Sequence, residues 1–230
     1  MTTKTRTRYI HEGRYVAEVE VRLIVEAPQR YRATTLAVEP DASNATYFLA
    51  APAIAGGRVT VEGLSADSVQ GDAGFARLLT QMGCHVVPEP SRLTVEGLPA
   101  DLRLCGIDVD LSDMPDTVQT LAVVALFADG PTVIRNVANL RIKETDRLAA
   151  LACELQKLGA TIDERTDGLT IHPPKHVAPG SIDTYGDHRM AMSFALAGLR
   201  CPGLIINNPQ CCHKTFPDFF DRFERMVAGG

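Results

Sequence analysis

Three stretches of this chain share one rhythm of apolar and polar positions. "DASNATYFLAAPAIAGGRVTVEG", "MPDTVQTLAVVALFADGPTVIRNV" and "YGDHRMAMSFALAGLRCPGLIINN" each run from a polar head into an almost wholly apolar, helix-length segment, then a Gly, then a strand-like run. The closing glycines are Gly57, Gly130 and Gly203, 73 residues apart in both intervals (130 − 57 and 203 − 130). A shared period of that size predicts threefold duplication. Helices that are apolar nearly all round are expected to be buried on every side. Leu121 to Ala128, the longest apolar run, reads as part of such a helix.

The second half of each unit repeats as well. "QGDAGFARLLTQMG", "KETDRLAALACELQKLG" and "KTFPDFFDRFERM" each follow a loop and carry a helical period. Phe75, Leu78, Leu79 and Met82, then Leu148, Leu151, Leu155 and Leu158, then Phe219, Phe220 and Phe223 form one apolar stripe per helix. "CHVVPEPSRLTVEG" and "ATIDERTDGLTIHPP" each place turn residues between two strand-like runs, which predicts hairpins. The unit is therefore helix, strand, amphipathic helix and two strands, with a further strand ahead of it. The fold class is α/β. Residues 1–38 do not fit the repeat and read as remnant strands leading in from something upstream. Residues 39–230 read as one domain of three repeats, about 39–100, 101–176 and 177–230.

Composition narrows the function classes. The 230 residues are 45% hydrophobic and 22% charged, ordinary for a globular protein, and the formal net charge of −5 argues against nucleic acid as the main partner. No apolar run approaches the roughly 18 residues that span a bilayer, so no membrane partner is expected. The start, "MTTKTRTRYI", is basic but has no apolar core behind it, unlike a signal peptide; an organellar transit remnant is the minor alternative. The six cysteines contain no CxxC, and adjacent Cys211 and Cys212 are poorly placed for zinc or for a mutual disulfide. They read as buried or inert thiols in a reducing cytosol, with no metal site. GxGxxG and GxxxxGK are both missing, so no nucleotide-binding motif is present.

The repeat also aligns the polar heads. A step of 73 carries Ser43 to Asp116 and Asp116 to Arg189, and it carries Gln70 to Lys143. Helix N-termini hold unpaired N–H groups and partial positive charge, so cations there work against the helix. Lys143, Arg147, Arg189 and Lys214 all fall in or beside such openings, which predicts an anionic ligand with several phosphates or carboxylates. Plainer explanations exist for each residue alone. Asp116 with Gln119 fits a capping box. Lys143, Glu144 and Arg147 fit a solvated cluster, His188 a helix-opening hydrogen bond, Asn139 a loop, Lys214 a bare surface, and Met190 and Met192 core packing. Recurrence at matching places favours a site. Glu144 and Asp116 then supply proton donor and acceptor groups within a cationic bowl, where surrounding cations favour the ionised, basic form.

"NLRIKETDRLAA", "YGDHRMAMSFALAGL" and "KTFPDFFDRF", in that order, closely resemble the enolpyruvylshikimate-phosphate synthase family. "EPDASNATYFLAAPAIAGG" and "DMPDTVQTLAVVALFADG" do so too, and the resemblance covers about residues 20–227. The related enolpyruvyl transferases of cell-wall synthesis, which act on UDP-N-acetylglucosamine, share the fold; KETDR and DHRMAM favour the shikimate enzyme. The resemblance implies two domains, each an inside-out α/β barrel of three βαβαββ units with buried central helices, and an active site in the cleft between them. It implies transfer of the enolpyruvyl group of phosphoenolpyruvate to shikimate 3-phosphate with release of phosphate, in aromatic amino acid biosynthesis, with no cofactor. Arg147, Arg189 and Lys214 are then expected on phosphoenolpyruvate, and Asn139 and Lys143 on shikimate 3-phosphate. Asp116, Glu144 and Lys214 are expected to handle protons, their division of labour open, with His188 supporting. The family pocket also accepts glyphosate. A cytoplasmic location, or a plastid in a plant, follows from the same resemblance.

Two departures stand out. Gly186 replaces the usual Asn before DHRMAM, and the chain resembles only the second half of the family enzyme. The resemblance therefore implies a partner, the missing N-terminal domain, without which the chain is expected to be inactive and to self-associate through its exposed cleft face. The alternative is a non-catalytic binding or interaction module of the same fold.

Overall fold

The computed structural model describes residues 8–9, 15–16, 28, 30–65 and 67–229. Its contacts separate Met1–Val38 from Glu39–Gly230. In the first unit, β1 (Arg8–Tyr9) pairs antiparallel with β2 (Tyr15–Val16). The strand-and-turn expectation for the rest of that stretch lies outside the described residues as far as Ala27, and residues 30–38 hold neither helix nor strand.

The second unit is α/β. Its helices are α1 (Ala42–Ala55), α2 (Phe75–Gln81), α3 (Val118–Ala125), α4 (Arg147–Lys157), α5 (His188–Ala195) and α6 (Phe219–Ala228). Its strands begin with β3 (Arg58–Glu62), β4 (His85–Glu89), β5 (Arg92–Glu96), β6 (Leu104–Cys105) and β7 (Asp108–Asp110). They continue with β8 (Ala128–Asp129), β9 (Thr132–Arg135), β10 (Thr161–Arg165), β11 (Gly168–His172), β12 (Ser181–Ile182) and β13 (Ile205–Ile206).

The three apolar segments are the buried centre. Every residue of α3 is buried, and in α5 every residue except Arg189. The helix expected to run to Ala128 stops at Ala125, and Ala128 enters β8 instead, parallel to β6. Buried hydroxyls cross-link the three helices. Thr46 Oγ1 lies 3.1 Å from Thr120 Oγ1, which lies 3.3 Å from Ser193 Oγ, so these three hydroxyls meet one another inside the apolar centre. Gly57, Gly130 and Gly203, which follow these helices, all have positive φ (79°, 104° and 88°), a turn in which a side chain would be strained.

The amphipathic helices cover that centre. Phe75, Leu78, Leu79 and Met82 are buried, as are Leu148, Leu151, Leu155 and Leu158. On α6, Phe219 and Phe223 are buried and Phe220 half-buried. Phe219 meets the rings of Tyr47, Phe48, Phe216, Phe220 and Phe223 at centroid distances of 5.6, 5.9, 5.7, 5.1 and 5.6 Å. Both expected hairpins form: β4–β5 extends to β3, and β10–β11 extends through β9 to β7. Strands ahead of the second and third expected repeats are β7, parallel to β9, and β12, parallel to β13. Among the described residues the strands fall into separate small sheets, and no closed barrel forms.

Candidate functional site

The segment entering α4 builds the site. In the turn Ala138–Ile142, Arg141 donates to Asp146 (3.0 Å), to Glu164 (2.9 Å) and to the Thr166 carbonyl (2.8 Å). These bonds tie the loop to the β10–β11 hairpin. Asp146 then caps α4 by accepting from the Ala149 N–H at 3.1 Å. The helix starts at Arg147, so Lys143 and Glu144 precede it rather than occupy its first turn.

Arg147 is not a solvated residue. Its side chain is 2% exposed and three carboxylates surround it. Nε donates to Asp187 at 2.7 Å and Nη2 to the same carboxylate at 3.2 Å. Nη1 donates to Asp116 at 3.1 Å, and Nη2 also to Glu144 at 2.9 Å. Asp187, fully buried, also caps α5 by accepting from the Arg189 N–H at 2.9 Å. The cap of α5 is therefore Asp187, not His188.

Arg189 closes the other side. It donates to Asp116 Oδ2 at 3.0 Å, and lies 3.4 Å from the Asp116 carbonyl and from the Tyr47 hydroxyl. Engaged by two arginines, Asp116 forms no capping box. α3 opens from the turn Pro115–Thr117 without a side-chain cap, and the buried Gln119 carboxamide is unpartnered among the described residues. Lys214 Nζ lies 3.2 Å from Glu144, and Lys143 Nζ 4.0 Å from Asp116. His188 Nδ1 is buried without a hydrogen bond among the described residues, 3.7 Å from Asp187 and 4.0 Å from Glu144.

A family model described as EPSP synthase (3-phosphoshikimate 1-carboxyvinyltransferase) matches residues 14–223. The chain belongs to the EPSP synthase family. It is 51% identical to the chloroplastic 3-phosphoshikimate 1-carboxyvinyltransferase of Arabidopsis thaliana, over 90% of this chain and 41% of that protein. It is 50% identical to the enzyme of that name from Burkholderia vietnamiensis, over 90% of this chain and 48% of that one. The solved EPSP synthase of Acinetobacter baumannii superposes with a TM-score of 0.72 and 29% identity, covering 82% of this chain and 46% of that one. The chain thus spans about half the length of the curated EPSP synthases it matches.

Exposure divides the cluster by what it can touch. The side chains of Asp116 and Glu144 are 29% and 31% exposed, and those of Lys143 and Lys214 are 38% and 63% exposed. Arg189 reaches the surface at 12%, while Arg147 and Asp187 are sealed in. The accessible cations are therefore Lys143, Arg189 and Lys214, and Arg147 organises carboxylates. Asn139 is exposed in the preceding turn and takes no part in the cluster's hydrogen bonds.

The expected cationic bowl is nearly charge-balanced. Asp116, Glu144 and Asp187 face the four cations, and Asp72 adds a further carboxylate. Desolvation, and then the Asp116 charge, raise Asp72 above the ordinary carboxylate range against the pull of Arg189. Desolvation also acts on Glu144, but its own backbone N–H, Arg147 and Lys214 outweigh it and hold the carboxyl down at about 2. Glu144 is ionised at neutral pH. Burial lowers His188, only partly offset by Asp187, so the ring is held toward its neutral form. Desolvation likewise pushes Cys212 up to about 12 and Cys84 to about 11, which keeps these thiols inert.

Sequence reasoning missed Asp72, Tyr47 and Asp187. Asp187 had a signal, a short acidic residue directly before an apolar helical run, the place of an N-cap. Tyr47 had none, being one apolar position among many in α1. Gly186, φ +70°, explains the departure noted in the sequence: Asn is among the few side chains that tolerate the left-handed region where Gly sits freely.

Proposed function

We propose that this chain supplies one wall of the active site of 3-phosphoshikimate 1-carboxyvinyltransferase, with the opposite wall contributed by an N-terminal domain. The observation that carries this reading is the half-exposed Asp116–Glu144 pair, flanked by Lys143, Arg189 and Lys214 and backed by the buried Arg147–Asp187 pair. The family supplies the substrates, phosphoenolpyruvate and shikimate 3-phosphate. The three-repeat inside-out barrel belongs to the same reading, supported by the Thr46–Thr120–Ser193 ladder and by the contact between repeat-equivalent Asp116 and Arg189.

The chemistry asks for both proton states at one place. The substrate hydroxyl attacks C2 of phosphoenolpyruvate while C3 gains a proton, giving a tetrahedral adduct. The adduct then expels phosphate as C3 loses a proton, which restores the vinyl group. Glu144, ionised and 3.2 Å from the Lys214 ammonium, gives an acceptor beside a donor. Asp116 is the other reachable carboxylate and takes the hydroxyl proton. Lys143, Arg189 and Lys214 bind the anionic groups, with Asn139 at the rim toward shikimate 3-phosphate and His188 as neutral backing. Exposed Val69 and Ile142, 94% and 86% accessible and also 73 residues apart, support a face that another domain or a second copy covers.

A phosphate-release assay with and without the N-terminal half tests this. The chain alone is expected to bind phosphoenolpyruvate weakly and release no phosphate, and the reconstituted pair to turn over. Full activity from the chain alone sinks the divided-site reading. Calorimetric titration showing no binding of either substrate, even with the other half present, favours a non-catalytic module.

A further inference from the structure

Glu154 lies on α4 two turns beyond Arg147, is completely buried, and has no role in the site described above. A carboxylate costs too much to bury without partners. Its partners are specific. Oε1 accepts the Tyr185 hydroxyl at 2.7 Å, Oε2 accepts the Asp183 backbone N–H at 3.0 Å, and Lys157 Nζ lies 2.8 Å away. All but Lys157 belong to the segment leading into α5.

That segment is held in an unfavourable shape. Tyr185 (φ +55°) and Gly186 (φ +70°) are both left-handed, and Tyr185 is a bulky residue in a region its side chain disfavours. Directly after this turn comes Asp187, which must meet Arg147 and cap α5 at once. The Asp187 N–H itself returns to the Thr184 carbonyl at 2.8 Å. Desolvation and the Glu154 carboxylate raise the Tyr185 phenol above its ordinary value, so its hydroxyl remains a donor.

We propose that Glu154 is a positioning residue: through Tyr185 and the Asp183 N–H it latches the left-handed turn that delivers Asp187 to Arg147. Helix α4 thereby fixes both partners of the buried pair, Arg147 from its first residue and Asp187 through Glu154. The latch is a property of the fold; its bearing on catalysis rests on the function proposed above.

The experiment uses this chain with ¹⁵N-labelled arginine. Solvent exchange of the Arg147 Nε–H, which donates to Asp187, is followed in Glu154→Gln, in Tyr185→Phe, and in Val95→Ala, a core change in β5 distant in sequence from the latch. Losing one hydrogen bond of the latch is expected to speed exchange about three- to tenfold in Glu154→Gln and Tyr185→Phe, beyond any change in Val95→Ala. Phosphoenolpyruvate affinity, measured by calorimetry on the same samples, is expected to fall in step. Wild-type exchange in Tyr185→Phe, or acceleration no greater than in Val95→Ala, overturns the proposal. If Glu154→Gln does not fold, Tyr185→Phe decides alone. Absence of phosphoenolpyruvate binding by the parent chain counts against the proposed function only, because the exchange measurement still tests the latch.

Discussion

Asp116 and Arg189 stand 73 residues apart, the same spacing as Gly57, Gly130 and Gly203, and their side chains meet at 3.0 Å. On the threefold repeat proposed above, equivalent helix openings converge on one place, and these two carry opposite charge. Ser43, 73 residues before Asp116, instead donates its hydroxyl to Asp41 at 2.7 Å, at the cap of α1. One opening serves helix stability and the other two hold charge.

The buried pair is the structural keystone. Arg147→Met leaves Asp187 charged and sealed from water, and is expected to cost about 3–5 kcal/mol in urea unfolding. Combining it with Asp187→Asn, which removes the stranded charge but keeps an acceptor for the Arg189 N–H, is expected to recover part of that loss. A single change costing under about 1 kcal/mol refutes the assignment.

Lys214 separates binding from stability. Its pair with Glu144 is exposed, so Lys214→Gln is expected to change stability by less than about 1 kcal/mol. The same change is expected to weaken phosphoenolpyruvate binding about tenfold or more, through loss of a charged hydrogen bond. Unaltered affinity in calorimetry removes Lys214 from the binding wall.

Acid acts through His188. Burial lowers its folded-state pKa below the unfolded value, so between the two the unfolded chain binds more protons. The stability this group contributes is present above about pH 6.5 and is lost as pH falls toward the folded pKa, at up to about 1.4 kcal/mol per pH unit. Melting temperatures measured from pH 8 to 5 are expected to fall less steeply in His188→Gln. An identical pH slope in the variant contradicts this.

Gly186 tests the turn. Gly186→Asn is expected to be nearly neutral, and Gly186→Val to cost about 1–2 kcal/mol, because a β-branched residue resists a φ of +70°. Equal thermal stability of the two variants is the contrary result.

Spacing made much of this fold readable. Gly57, Gly130 and Gly203 all sit in turns of positive φ, and the stripe Leu148, Leu151, Leu155 and Leu158 is buried as its spacing requires. Periodicity reports which face a residue takes, and faces are local. It could not show that Arg147 is sealed, because a charge at a helix opening is buried only where three carboxylates from distant segments arrive to neutralise it. It also missed Tyr47 and Glu154, whose polar atoms matter only through contacts made across the fold.

The sequence by itself carried the 73-residue spacing, the apolar stripes and the residue types gathered at the helix openings. Local spacing and side-chain chemistry are enough for these. The motif strings carried the resemblance to the family. Only the tertiary structure decided which charges are sealed and which can reach a ligand. Burial belongs to no single residue, and it arises when Asp116, Asp187 and Glu144, from three parts of the chain, close around one guanidinium.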